Sequence, residues 1–213
     1  MARKRTAVLI SGRGSNMQAL IAAAKDETFP AEIVLVLSNR PEAAGLATAQ
    51  AHGIATEIVD HRAFGKNGKD SDREAFERAV QEKLERHRID LVCLAGFMRL
   101  LTPWLVDRWA GRMLNIHPAL LPAFKGLDTH ARALAAGVAT HGATVHFVVP
   151  DMDAGPIVVQ GEVPVLPGDT PETLAKRVIA VEHQIYPLAL QRVASGEATE
   201  ATPPLVQRFG LSA

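Results

Sequence analysis

Cysteine, aromatic residues and net charge are all scarce in this chain of 213 residues. A single cysteine, Cys93, excludes an internal disulfide and favours a reducing compartment. Basic and acidic residues number 23 each, and a chain without net positive charge is a poor candidate for broad nucleic-acid or membrane-surface binding. The apolar run at residues 6–10 is too short for a secretory signal or a membrane span. We therefore expect a cytoplasmic protein without membrane or nucleic-acid partners.

The first half of the chain alternates short apolar runs with segments whose apolar residues recur at helical spacing. Strands are predicted at residues 6–10, 31–37, 54–59, 90–95 and 112–116, and helices at 16–25, 41–52, 71–88 and 103–110. Ser71 and Glu74 form a predicted capping box for the third of these helices. Because the strands are apolar along their whole length, both faces are expected to be buried. This predicts an α/β fold with a doubly wound, Rossmann-like and mostly parallel sheet.

After residue 116 the pattern changes. A loop with prolines and glycines covers residues 117–129, and a short helix follows. Predicted strands at 143–149 and 157–165, joined by a turn, indicate an antiparallel pair added to the sheet. A closing helix is predicted at 171–195. We expect one domain over residues 1–196, with a mononucleotide-binding half at 1–110, and a loosely ordered tail at 197–213.

The turn after the first strand is the first candidate site. It contains Gly12 and Gly14 and leads into a helix, whose free N–H groups and dipole favour an anion such as phosphate. A dinucleotide fingerprint fits poorly, because Met17 stands where a third glycine is expected. A Walker A loop is excluded, because Gly-Lys-Ser/Thr is absent. A tight turn capped by Asn16 is the alternative to a phosphate site.

Asn115 and His117, at the end of the fifth predicted strand, form the second candidate site. Two residues apart, they face the same side of a strand, at the sheet edge where ligands bind in such folds. An amide donor and an imidazole suit a reaction that develops an oxyanion and moves a proton. A strand-end cap with a structural histidine is the alternative. Asp153, in the later turn, could orient His117 and favour its protonated form, or could be an ordinary acidic turn residue.

Two further histidines are interpreted as structural. His141 and His146 are five residues apart, so a single strand would place them on opposite faces. This spacing disfavours a shared metal. The sequence has no cluster of His, Cys and carboxylate residues with the spacing of a zinc site.

Taken together, the motifs resemble the glycinamide ribonucleotide formyltransferases, folate-dependent enzymes of purine synthesis. The resemblance covers roughly residues 6–190, in order. Its segments are ISGRGSN at 10–16, LAGFMR at 94–99, LNIHP at 114–118, LLP at 120–122, HG at 141–142, VHF at 145–147, DAGP at 153–156, EH at 182–183 and YP at 186–187. The match becomes weak after about residue 196.

The resemblance implies transfer of a formyl group from 10-formyltetrahydrofolate to the amine of glycinamide ribonucleotide. It implies that Asn115, His117 and Asp153 are the catalytic residues. The co-substrate arrives already activated, so neither a metal nor ATP is expected. It also implies that residues 111–196 are the folate-binding and catalytic half of the domain.

The resemblance also assigns residues that contact each substrate. Those expected to bind the ribonucleotide are Gly14, Ser15, Asn16 and Glu182. Those expected to contact the folate are Arg73, Met98, Arg99, Leu100, Leu101, Val106, Val149, Pro150, Asp151, Met152 and Asp153. The expected partners are therefore small-molecule substrates, and the chain is expected to act as a monomer or homodimer.

Other enzymes share the same catalytic residues and stay open as alternatives. They are formyltetrahydrofolate hydrolase, sugar-nucleotide formyltransferases and methionyl-tRNA formyltransferase. The tRNA enzyme carries an additional RNA-contacting domain and the hydrolase a regulatory domain, for which 213 residues leave no room. A nucleotide-binding regulator without catalysis is a further alternative, which the complete set of Asn115, His117 and Asp153 disfavours.

Overall fold

The computed structural model of the chain describes residues 2–65 and 70–210. Within these residues, eight strands form one sheet and six α-helices pack around it. The strands are Lys4–Ile10 (β1), Ala31–Ser38 (β2), Ala55–Ile58 (β3), Leu91–Leu94 (β4), Met113–His117 (β5), Thr140–Phe147 (β6), Ile157–Pro164 (β7) and Leu205–Arg208 (β8). The helices are Ser15–Ala24 (α1), Gly45–Ala51 (α2), Asp70–Arg86 (α3), Pro103–Arg108 (α4), Thr129–Ala135 (α5) and Pro171–Ala194 (α6).

The strand order in the sheet is β3-β2-β1-β4-β5-β6-β7-β8. The first five strands are parallel, β6 is antiparallel to both β5 and β7, and β8 is parallel to β7. The predicted α/β fold, mostly parallel with an added antiparallel pair, is confirmed. The chain reverses its direction of winding between β1 and β4, and the carboxyl ends of strands at such a point are where ligands bind in open α/β sheets.

Each face of the sheet has its own hydrophobic core. Along β1, Val8 and Ile10 pack with α1, α2 and α6, while Ala7 and Leu9 pack with α3 and α4. This alternation follows from the two-residue period of a strand. Both faces of the central strands are therefore buried, as their continuous apolar sequence predicts. Among the described residues, no helix combines the length and apolar composition needed to cross a membrane.

Most element boundaries agree with the prediction to within one or two residues, but two elements differ by more. The second helix begins at Gly45 instead of residue 41, after a turn. β6 begins at Thr140, three residues before the predicted start. The side chain of Ser71, on which the predicted capping box depends, lies outside the described residues.

The region after residue 196 contains a strand that the sequence analysis does not include. Leu205–Arg208 pairs with β7 in a parallel register, and the Phe209 N–H donates to the Glu162 carbonyl at 2.9 Å. Residues 205–208 therefore form an ordered strand instead of the predicted loosely ordered tail. Pairing satisfies backbone groups that β7 would otherwise present at a sheet edge.

Candidate active site

The glycine-containing turn after β1 leads into the N-terminus of α1. Gly14 is the N-cap residue and has a φ of 71°, in the left-handed region that favours glycine. Among the described side chains none caps this helix, so the N–H groups of its first turn can bind an anion, which the helix dipole also favours. The alternative in which Asn16 is the cap is therefore wrong.

Asn16 instead contacts Glu182, although 166 residues separate them in the sequence. The Asn16 amide Nδ2 donates to Glu182 Oε2 at 2.7 Å, and both side chains are buried. Burial raises the pKa of the Glu182 carboxyl, and the hydrogen bond from Asn16 opposes that shift. The Asn16 Oδ1 atom is buried without a hydrogen-bond partner in the described part of the chain. An unpaired buried acceptor of this kind can accept a hydrogen bond from a hydroxyl or amine group.

Asn115 and His117 lie at the end of β5 and line the same cavity, as their spacing predicts. The His117 side chain is buried. Its Nδ1 atom lies 3.4 Å from Asp153 Oδ2, and its Nε2 atom lies 3.0 Å from the carbonyl oxygen of Phe124. The ring is thus placed between a carboxylate and a backbone carbonyl, and a doubly protonated imidazole can donate to both.

Asp153 lies in the turn between β6 and β7 and has a φ of 50°. Aspartate is one of the few residue types that adopts this left-handed conformation with any frequency. Its Oδ2 atom accepts the Gly126 N–H at 2.9 Å, and its Oδ1 atom lies 3.7 Å from His146 Nε2. The carboxylate therefore connects the loop after β5 with both histidines.

His146 also belongs to this polar group, so the interpretation of this histidine as structural is incomplete. In the antiparallel pairing of β5 with β6 it lies opposite Asn115, and the Asn115 Nδ2 atom is 3.2 Å from His146 Nε2. The other ring nitrogen, Nδ1, lies 2.8 Å from the Phe147 carbonyl oxygen, which assigns the proton to Nδ1. Burial lowers the pKa of the His146 imidazole. A neutral ring then accepts the Asn115 amide N–H and fixes the orientation of that amide.

These groups share a cavity of about 560 Å³ at the carboxyl ends of the central strands. The predicted site residues that line it are Asn16, Met98, Arg99, Leu100, Leu101, Val106, Asn115, His117, Val149, Pro150, Met152, Asp153 and Glu182. Four predicted residues are not part of the lining within the described chain: Gly14, Ser15, Arg73 and Asp151. The structure thus brings the three predicted catalytic residues together with most of the predicted binding residues.

The mouth of this cavity is apolar and open to solvent. Met98, Leu100, Leu127 and Met152 have exposed fractions of 61%, 63%, 71% and 53%. Exposed apolar side chains around a cavity suit a ligand with a large apolar surface, such as a fused ring system. The cavity therefore combines a polar interior with an apolar entrance.

A second cavity of about 620 Å³ lies at the opposite end of the sheet, near the beginnings of β1, β4 and β5. It is lined by Lys4, Leu91 and Arg112 together with the end of α6, and its described lining includes no predicted site residue. We therefore assign the candidate site to the smaller cavity. In residues 2–65 and 70–210, no three His, Cys, Asp or Glu side chains are grouped as ligands of one metal ion.

Comparison with known proteins identifies the family of this chain. The formyl transferase family matches residues 4–190. Trifunctional purine biosynthetic protein adenosine-3 of Bos taurus is 52% identical over 194 residues, which cover 91% of this chain and 19% of the bovine protein. The chain therefore spans only about a fifth of that relative.

Two further relatives match over nearly their whole length. Phosphoribosylglycinamide formyltransferase of Escherichia coli K12 is 44% identical over 189 residues, covering 89% of this chain and 86% of the relative. The crystal structure of phosphoribosylglycinamide formyltransferase from Brucella melitensis is 49% identical with a TM-score of 0.86, covering 99% of this chain and 100% of that one. The chain belongs to the formyl transferase family.

Proposed function

We propose that this chain transfers the formyl group of 10-formyltetrahydrofolate to the amine of glycinamide ribonucleotide in de novo purine biosynthesis. The products are formylglycinamide ribonucleotide and tetrahydrofolate. The observation that carries the proposal is the convergence of Asn115, His117 and Asp153 in one cavity, between a helix N-terminus and an apolar mouth. Relatives named phosphoribosylglycinamide formyltransferase support the choice of substrates.

The acceptor substrate would bind at the α1 side of the cavity. Its phosphate would accept hydrogen bonds from the backbone N–H groups of Gly14, Ser15 and Asn16, where the helix dipole favours negative charge. The ribose hydroxyls would bind Glu182 and the free Oδ1 acceptor of Asn16. This local capture would allow a chain with no net charge to bind an anionic substrate.

The folate would bind at the apolar mouth. Met98, Leu100 and Leu101 from the segment before α4 would contact one side of its ring system, and Val149 and Met152 from the turn after β6 the other. Arg73 lies on α3 and is not part of the described cavity lining, so it would contact the more distant, carboxylate-bearing end of the co-substrate. This arrangement would bring the formyl group near Asn115 and His117.

The reaction would begin with attack of the acceptor amine on the formyl carbon, which moves the carbonyl electron pair onto oxygen. The Asn115 amide and a protonated His117 would donate to that oxyanion, and one such donor is typically worth about 3 kcal/mol. The bond from carbon to folate N10 then breaks, N10 takes up a proton, and the amine loses one. Asp153, 3.4 Å from His117 Nδ1, would hold the imidazole in its orientation toward the formyl oxygen.

The formyl oxygen would have to share or replace a contact that His117 makes in this structure. The His117 Nε2 atom is 3.0 Å from the Phe124 carbonyl, which lies in the loop between β5 and α5. This carbonyl holds the imidazole in its orientation. When the folate binds, the same N–H would turn toward the formyl oxygen.

Formyl transfer would be tested with purified protein and 10-formyltetrahydrofolate, without ATP, while release of tetrahydrofolate is monitored. We expect rapid release only when glycinamide ribonucleotide is present. Release at the same rate without an acceptor would favour a hydrolase, and release only with an amino-sugar nucleotide would favour a sugar-nucleotide formyltransferase. Either result would overturn the proposal.

The remaining expectations follow from the same chemistry. Because the formyl group is already activated on the folate, the reaction would need neither a metal nor ATP. The enzyme would act on small molecules in the cytoplasm, without a nucleic-acid partner, as a monomer or homodimer. Both halves of the domain would contact the folate, residues 1–110 through the segment before α4 and residues 111–196 through the turn after β6, and the second half would also supply Asn115, His117 and Asp153 for catalysis.

A further inference from the structure

The segment between β4 and α4, residues 96–102, forms one side of the cavity and is here called the wall segment. Its residues 97–102 lie outside any helix or strand. Met98 and Leu100 are largely exposed, so packing alone does not fix this backbone. Side chains from other elements bind it near both of its ends.

Ser11 holds the first end of the wall segment. The Met98 N–H donates to Ser11 Oγ at 2.8 Å, and the Ser11 hydroxyl donates to Asn39 Oδ1 at 2.6 Å. Both Ser11 and Asn39 are buried. This end is therefore attached to the carboxyl ends of β1 and β2.

Glu77, on α3, holds the second end. Its side chain is 1% exposed, and its carboxylate accepts both the N–H of Thr102 at 2.6 Å and the hydroxyl of Thr102 at 2.5 Å. Thr102 is the N-cap residue of α4, yet its hydroxyl does not cap that helix in the described structure, because it is turned toward Glu77. Both donors of one residue are thus bound by one buried carboxylate.

The neighbour of Glu77 supports the middle of the same segment. The Phe76 ring stacks on Phe97 with centroids 6.4 Å apart, and the Arg99 guanidinium lies 6.0 Å from the Phe76 centroid. Phe76 and Glu77 together therefore support the wall segment from α3. Burial raises the pKa of the Glu77 carboxyl, because the interior disfavours its charged form.

We propose that Glu77 is a positioning residue for the folate, acting through Thr102 to hold Leu100 and Leu101 in place at the cavity. This inference rests on the proposed function, since it assigns the wall segment to the folate. Glu77 is not part of the cavity lining in the described residues, so it would act without touching the substrate. The ribonucleotide side is attached to α1 and α6 and would not depend on it.

Loss of the Glu77 contact would weaken folate binding in the ground state and in the transition state alike. Such a change raises KM and leaves kcat nearly unchanged. We expect Glu77→Ala to raise KM for 10-formyltetrahydrofolate about tenfold, which corresponds to about 1.4 kcal/mol. KM for the ribonucleotide would stay the same.

Two companion variants separate positioning from general destabilisation. Glu77→Gln should restore KM to near the wild-type value, because its amide oxygen can accept the Thr102 N–H while its NH₂ group donates to the Thr102 hydroxyl. Val80→Ala removes buried apolar volume from the same helix, three residues away, without touching Thr102. It should lower Tm without changing either KM.

The experiment measures kcat, both KM values, Tm and the Kd of tetrahydrofolate for the wild type and each variant. An unchanged folate KM and Kd in Glu77→Ala, or an equal increase in Val80→Ala, would overturn the positioning role. If Glu77→Ala does not fold, Thr102→Val carries the test, because it keeps the N–H donor and removes the hydroxyl, and a raised folate KM is expected. A wild type without formyl transfer would instead overturn the proposed function, and the positioning role with it.

Discussion

The Asp153 carboxylate has a central position among the polar residues of the cavity. It faces His117 with one oxygen and His146 with the other, and it also accepts the Gly126 N–H. Its left-handed backbone brings it to this place at the turn after β6. A carboxylate at this point can fix the orientation of a ring that donates to an oxyanion.

Asp153→Asn keeps the shape of the side chain and removes its charge. We expect kcat to fall at least about a hundredfold, because general acid–base and oxyanion contributions are of this size. His117→Ala should cause a loss of similar size. Steady-state kinetics with circular dichroism as a check of folding measures both, and Glu27→Gln, at an exposed site between α1 and β2, should be neutral. Near-normal turnover in both site variants would contradict the assigned roles.

The sequence predicts some of these site residues and not others, for physical reasons. Asn115 and His117 can be predicted because two residues that lie two positions apart at a strand end have their side chains on one face. His146 is not, because its position opposite Asn115 depends on the register of an antiparallel pair. The Phe124 carbonyl and the Gly126 N–H are backbone groups, and any residue type would supply them.

At the scale of elements, the turn between β6 and β7 is the part that delivers Asp153. Gly155 has a role here, because a Cβ atom at this position would collide with the carbonyl oxygen of Phe147. That carbonyl also accepts the His146 Nδ1–H. The close approach of the turn to β6 thus fixes both Asp153 and His146.

Gly155→Ala should force the turn away from β6 and carry Asp153 from His117. We expect kcat to fall at least about tenfold and the free energy of unfolding to fall by about 2 kcal/mol, the cost of overpacking. Gly137→Ala is the control. Gly137 also has a positive φ, 63°, so an alanine there would be strained, but its Cβ would meet no atom within 4 Å. It should cost about 1 kcal/mol and leave kcat unchanged. Equal kcat in the two variants would refute this role for the turn.

Elements differ in how far the sequence predicts them. The strands β1, β2 and β7 and the helix α6 are predicted to within one or two residues, because their apolar patterns are continuous. β8 follows Pro203 and Pro204 and adds to an edge already formed. Its sequence has two apolar residues followed by two polar ones, a pattern that does not indicate a strand. The alternation of strands and helices predicts a mostly parallel sheet but not the order of its strands.

At the scale of the whole molecule, buried histidines make stability depend on pH. Burial and the nearby charges of His130 and His117 lower the pKa of His141 from 6.5 to about 4. The unfolded chain therefore binds more protons than the folded chain between these two values. The stability that depends on a neutral His141 is complete above about pH 6.5 and is lost as the pH falls toward 4. Over this pH range, the titration of His141 lowers the free energy of unfolding by about 3 kcal/mol.

His141→Gln should remove this dependence. We expect the variant to be less stable than the wild type at pH 7 but to lose less free energy of unfolding between pH 6.5 and 4. Urea unfolding at several pH values measures the difference. Glu77 and Glu182, whose raised pKa values have the opposite effect, are present in both proteins and cancel in the comparison. Parallel curves for the two proteins would exclude His141 as the source.

The most direct test of the proposed function follows the formyl carbon itself. 10-Formyltetrahydrofolate with ¹³C in the formyl group is mixed with glycinamide ribonucleotide and the enzyme, without ATP, and the products are identified by NMR. The label should appear in the formamide of formylglycinamide ribonucleotide, one label for each tetrahydrofolate released. Label in formate, at a rate that does not depend on the ribonucleotide, would contradict the proposed function.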